Sequence, residues 1–288
     1  MRTGLKLALS GLIILSAAYN VYASFNTWRL PFDFAVVDRH TLVIGAAPGV
    51  ALPAPLAAGD RIDPAEQDFD VRTALDVAYN GRTLPWDRTY DLKLRHGDAE
   101  YRAQVTTGPL PTTRNLRIVQ AALITFLCVL VPLGLLLLWR GRDRAGAALA
   151  AWCFCFVTGI SFNYLPLDGV VGVLSLELGL VFFLLARTAF YLMADSLVVP
   201  LLSRGSSAFF RTAFILVLLA GSIQSIGSSF AFAYSGDVLL ALPRYSLAFS
   251  WIFVVPVALL VAGYRLAGEG VKVKLGWVAF AGVLLIVS

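Results

Sequence analysis

Histidine occurs only twice in 288 residues, cysteine three times, and charged side chains make up just 14% of the chain. A zinc-protease helix of the His-Glu-x-x-His type needs two histidines four residues apart, and His40 and His96 cannot supply it. Each lies in an expected turn and reads as a solvated loop residue. No Gly-rich phosphate loop, zinc-ligand spacing or paired carboxylate motif stands out, so no catalytic or metal-binding residue is assigned and no cofactor is expected. Cys128, Cys153 and Cys155 all fall within apolar runs, which excludes a disulfide framework. Cys153 and Cys155 are two apart, and on a helix they diverge by about 200° and cannot chelate one ion together. They read as small core or lipid-facing residues.

What the chain has in excess is apolar surface. Hydrophobic residues reach 58% and the mean hydropathy is +0.77, more than a water-soluble core requires. The net charge of +5 is unevenly spread. Residues 26–117 hold 11 basic against 12 acidic side chains, whereas the rest of the chain holds 12 against 6. The surplus flanks apolar runs, as in the loops of a membrane protein, and no basic stripe with interleaved aromatics points to nucleic acid.

Six runs are long enough to cross a bilayer as helices, near residues 5–25, 118–139, 145–164, 169–192, 212–234 and 245–264. A seventh begins after Lys274 and reaches only about 21 Å by Ser288, so the sequence reads as ending inside a helix, with an output domain expected beyond it. Basic residues alternate between loops. Arg2 and Lys6, Arg140, Arg142 and Arg144, Arg204 and Arg211, and Arg265, Lys272 and Lys274 share one side, while the opposite short loops carry only Arg244. By the excess of Lys and Arg in cytoplasmic loops, the amino terminus is cytoplasmic in a bacterial inner membrane and the segment after the first run lies outside. Residues 1–25 form an N-terminal anchor, with a cleaved signal peptide as the alternative because of Val21-Tyr22-Ala23. Residues 26–116 form an extracytoplasmic domain and residues 117–288 a multi-helix transmembrane domain. The fold class expected is an α-helical polytopic membrane protein with a small α+β outer domain.

In the outer segment the pattern shifts to short strand-like runs. Phe34-Ala35-Val36-Val37 and Thr41-Leu42-Val43-Ile44 flank Asp38-Arg39-His40 as a hairpin. Asp70 is placed to cap a helix with the apolar face Val71, Ala74, Leu75 and Ala78. Tyr90 to Arg95, turning at His96-Gly97-Asp98 into Tyr101 to Val105, is the clearest hairpin. Val43-Ile44-Gly45-Ala46-Ala47-Pro48-Gly49 followed by Leu56-Ala57-Ala58-Gly59-Asp60-Arg61-Ile62, then a helix and a hairpin, resembles a PDZ domain over about 80 residues. PDZ domains take an extended peptide as an added strand beside a helix. By that resemblance the groove runs between Phe34 to Val37, with Phe34 and Val36 as ligand-binding residues, and the helix carrying Val71, Leu75 and Ala78. Asp33 falls in the loop that would receive a peptide carboxylate and opposes its charge.

Ionisable residues within apolar runs are functional candidates by default. Glu177 stands about 12 Å inside the fourth run and is expected to face the bundle interior with Gln224 and the serines Ser222, Ser225, Ser228 and Ser229, as a ligand or proton sensor or as helix glue. Arg187 and Asp195 read as snorkelling side chains near the inner interface. An anchor, a PDZ-like outer domain and a helical bundle together resemble the input half of bacterial multi-pass membrane sensor histidine kinases. The resemblance implies a signal-receiving module of a two-component system, a peptide or small-molecule signal and homodimerisation, with the lipid bilayer as the constant partner. The alternative is a transporter or an accessory membrane protein whose PDZ-like domain binds a partner.

Overall fold

The computed structural model describes residues 3–26, 35–38, 43–45, 52, 54–79, 85, 87–107, 114–141, 143–163, 165–237, 247–273, 275–276 and 278–279. The first apolar run forms α1 (Thr3–Asn26). A mixed domain follows, with β1 (Ala35–Asp38), β2 (Val43–Gly45), β3 (Arg61–Ile62), α2 (Phe69–Tyr79), β4 (Thr89–His96) and β5 (Ala99–Thr106). Its strands form one antiparallel sheet in the order β1-β2-β3-β4-β5. The β4-β5 pair is the longest, running from Thr89 opposite Thr106 to His96 opposite Ala99. Gly97 closes its two-residue turn at φ 59°, a conformation that costs glycine little. Tyr90, Leu92 and Leu94 alternate inward and are buried, as a half-covered strand requires.

Both expected hairpins are present, although residues 39–42 lie outside the described residues. The helix starts two residues earlier than the Asp70 cap implies. Phe69 opens α2, Asp68 precedes it and accepts Arg72 N–H through its carbonyl at 2.9 Å, and Asp70 sits in the first turn.

The remaining helices are α3 (Arg114–Arg140), α4 (Arg144–Asn163), α5 (Gly169–Val198), α6 (Arg204–Ser225), α7 (Ser228–Ser235) and α8 (Leu247–Leu266). Five helical segments among the described residues are long and apolar enough to cross a membrane, and Ile252–Leu266 adds a shorter apolar helix. The chain is therefore compatible with a multi-pass membrane protein. Within the bundle α4 and α5 make the most extensive helix pair, with α3 against α4 and α8 against α5 and α6. Asn20 Nδ2 of α1 donates to Val157 O at 3.0 Å and Gln120 Nε2 of α3 donates to Ser24 O at 2.5 Å, so α1 is tied into the bundle by polar bonds as well as packing. Cys153 and Cys155 are buried in the bundle core and Cys128 is exposed.

The bundle has two distinct ends. Lys6 near the start of α1 meets Trp139 near the end of α3, and Arg211 of α6 pairs with Asp195 of α5, which gathers the basic loops at one end. The mixed domain sits at the other. One correction concerns the fifth run, 212–234, expected as a continuous helix. It breaks after Ser225, where Ile226 is extended and Gly227 takes φ 82°.

Candidate functional site

The helix break lies where the mixed domain meets the bundle, and three layers of contact build this junction. The first is apolar. Leu176 of α5 belongs to the same buried cluster as Ile44, Ile62, Val71, Leu75, Leu92 and Val105 of the mixed domain. Helix α2 packs on both α5 and α7, and the Phe69 and Tyr234 rings meet at 5.4 Å between centroids. Gly236, at φ 73°, brings its backbone so close to Pro64 and Ala65 that an added Cβ would lie 2.5 Å from Ala65 Cα.

The second layer is ionic. Asp168 stands at the N-cap of α5, yet its side chain makes no bond to its own helix. It turns instead to the mixed domain, accepting Tyr90 OH at 2.9 Å and pairing with Arg88 Nε at 2.7 Å. The Asp168 side chain is only 13% exposed, so the contact is well shielded from solvent. Burial, reinforced by the bond to Asp168, pushes the Tyr90 phenol well above its usual range and keeps it a hydrogen-bond donor across physiological pH.

The third layer is Glu177. Its Oε2 accepts Gly227 N–H at 3.0 Å and its Oε1 accepts Ser229 N–H at 3.1 Å. Breaking the run at Ser225 frees the first amides of α7, and a carboxylate from a neighbouring helix satisfies two of them at the positive end of that helix dipole. Glu177 is buried, as are Ser225, Ser228 and Ser229 beside it. Helix α5 has 30 residues, about 45 Å, and Leu176, the residue before Glu177, lies within the mixed domain's core. Arg187, on the same helix, has its guanidinium 4.8 Å from the centroid of the Phe253 ring. Asp195 is not a free snorkelling group, since Arg211 grips both its oxygens, Nε at 3.3 Å and Nη2 at 3.1 Å.

A second buried carboxylate lies within the mixed domain. Asp60, fully buried, accepts Ala57 N–H at 2.6 Å, His96 Nδ1 at 2.8 Å and the Tyr101 hydroxyl. Burial alone would raise its pKa, but the bonds from Tyr101, Ala57 and His96 outweigh that cost and hold the carboxyl below its usual range. Burial and the same bond push the Tyr101 phenol up to about 12. His96, expected as a solvated turn residue, ends β4 with its side chain 58% exposed and bonds to Asp60.

The expected groove residues divide. Val71 and Leu75 are buried in the domain core with Ala74. Phe34 lies outside the described residues, as do the side chains of Val36, Ala78 and Gln224. Glu177, also expected as a site residue, is brought to the backbone amides of Gly227 and Ser229. Asp168, Tyr90 and Arg88 were missed. A signal for Asp168 existed, because an acidic residue immediately before a helix start commonly marks an N-cap, but nothing local revealed that its partner lies 78 residues away. Among the described residues no three His, Cys, Asp or Glu side chains gather as metal ligands would. Family models, curated proteins and solved structures yield no match to this chain.

Proposed function

We propose that this chain is the signal-receiving part of a bacterial membrane signalling protein, in which the mixed domain faces outward and passes its state to the helices through the junction at Asp168 and Glu177. The observation that supports this reading most directly is the shared core. Leu176 of a bundle helix is packed among the mixed domain's own apolar residues, so a shift of α2 cannot leave α5 and α7 unmoved. A domain merely tethered outside the membrane has no need of such a core. A peptide or small molecule binding beside α2 would act by favouring one of two junction packings over the other. The basic loops at the opposite end support a cytoplasmic position for it in this reading, with a histidine kinase as the proposed output.

One observation favours the alternative of a transporter. An interrupted helix with a buried acidic partner is a common way to build a solute site, and α6 and α7 form such a break at Gly227. The two readings separate in cells lacking the gene and complemented with wild type, Arg88→Gln or Asp168→Asn. Signal reception predicts a transcriptional response to an extracellular challenge that wild type restores and both variants weaken. An unchanged transcriptome with a loss of solute uptake would reject signal reception in favour of transport.

A further inference from the structure

At the end of the bundle remote from the mixed domain, a cleft of about 370 Å³ opens between the start of α1, the end of α3 and the start of α4. Its walls are apolar and its residues small where the helices would otherwise meet, with Ile13, Gly134, Leu138, Ala147, Ala151 and Phe154 among them. At its mouth the chemistry changes sign of preference. Lys6 lines the opening and stands over the Trp139 ring at 5.7 Å, while Arg140 and Arg144 end and begin the two flanking helices. Among the described residues the lining holds one acid, Asp143, and its Oδ1 already accepts Gly146 N–H at 2.7 Å as an anchor for the start of α4. Trp139 donates its indole N–H to Ser10 Oγ at 3.0 Å, the posture of an aromatic ring at a membrane interface.

We propose that this cleft binds an anionic phospholipid of the adjoining leaflet, with one acyl chain between α1, α3 and α4 and the phosphate against Lys6, Arg140 and Arg144. Two magnitudes select this occupant. A helix of about 10 Å diameter would exhaust the space within about three residues, so neither a second copy's helix nor a partner span fits, whereas an acyl chain is only one methylene wide. Lys6 in the lining and the exposed Arg140 and Arg144 at the adjoining helix ends together outweigh Asp143, which favours a phosphate headgroup over a zwitterionic or neutral one by charge complementarity. The site goes beyond the signalling reading and stands without it, since it needs only that the helices cross a bilayer.

The test is native mass spectrometry of the full chain extracted from vesicles holding equal amounts of phosphatidylglycerol and phosphatidylcholine, beside the variants Lys6→Gln and Ala147→Trp. Wild type is expected to retain phosphatidylglycerol preferentially. Lys6→Gln should lower that preference about fivefold by removing one basic residue from the mouth, and Ala147→Trp, at an exposed position on the cleft wall, should abolish it by filling the chain's place. Unfolding temperatures equal to wild type would certify both variants as folded, and Ala151→Trp repeats the blocking test if Ala147→Trp fails to fold. Equal retention of the two lipids by wild type would overturn the proposal. So would a preference that survives both tryptophans, or one that inorganic phosphate alone abolishes, since the acyl chain would then contribute nothing.

Discussion

The two buried carboxylates, Asp60 in the mixed domain and Glu177 at the edge of the bundle, solve the same problem in different ways. Each is removed from water; Glu177 recovers solvation from two backbone amides, and Asp60 from one amide and two side-chain donors. The partners of Asp60 all belong to its own domain: the nearby Ala57 amide, and Tyr101 and His96 on the adjoining hairpin. The two amides that Glu177 accepts stand 50 and 52 residues away, at the break before α7 and in its first turn. Asp60 therefore holds one domain together, whereas Glu177 joins elements that would otherwise be free to move apart. A self-contained network favours rigidity, and a bridging one favours coupling.

The contrast can be broken most severely at Asp60. Replacing it with Ala removes a buried acceptor from three donors and is expected to cost about 4 kcal/mol, read as loss of protease resistance in the mixed domain with the helical content retained. Its pH dependence follows from the direction of its shift. Because the folded pKa lies below the unfolded one, near 3.9, the stabilisation is complete above that value and is lost as pH falls through the lowered folded pKa. Acid unfolding of the mixed domain should steepen below about pH 4, and Asp60→Asn should flatten that limb.

Next comes the junction itself. Gly236→Ala places a Cβ against Pro64 and Ala65 at a left-handed backbone position and is expected to cost about 3 kcal/mol of docking, seen as faster hydrogen exchange in α2 and α7 together. Exchange confined to α7 would mean that the two elements are not coupled. Glu177→Ala should cost about 2 kcal/mol, with Glu177→Gln milder because an acceptor oxygen remains, and both should loosen α7 while sparing the β4-β5 hairpin. Equal loosening of that hairpin would erase the distinction between the two carboxylates. The smallest effect belongs to the interior of the bundle. Asn20→Leu deletes the bond to Val157 O and should lower the unfolding temperature only slightly, for a loss of about 0.6 kcal/mol.

How much of this was legible in the sequence depends on the range of the interaction. Asp60 could be read within a short motif, Gly59-Asp60-Arg61-Ile62, because a turn leading into a strand is local chemistry. The same holds for the β4-β5 hairpin, where alternation and Gly97 fix both the pairing and the turn. The run 212–234 misled for the opposite reason. Its composition is apolar throughout, and hydropathy cannot distinguish a continuous helix from one bent at Gly227 when the freed amides find an acceptor elsewhere. That Leu176, the neighbour of Glu177, completes a folded domain's core was not legible either, because an apolar residue facing a domain and one facing lipid look alike in composition.

By itself the sequence determined the apolar helices, the segregation of basic loops and the presence of a small mixed domain between the first and second runs. Those features follow from composition and period, which act within a few residues. Only the tertiary structure decided that Asp168 abandons its own helix for Tyr90 and Arg88, that Glu177 holds a broken helix, and that the mixed domain's core is completed by Leu176. Each is a contact across 50 or more residues. No periodicity encodes such a contact, because it exists only once packing has brought the partners out of water together.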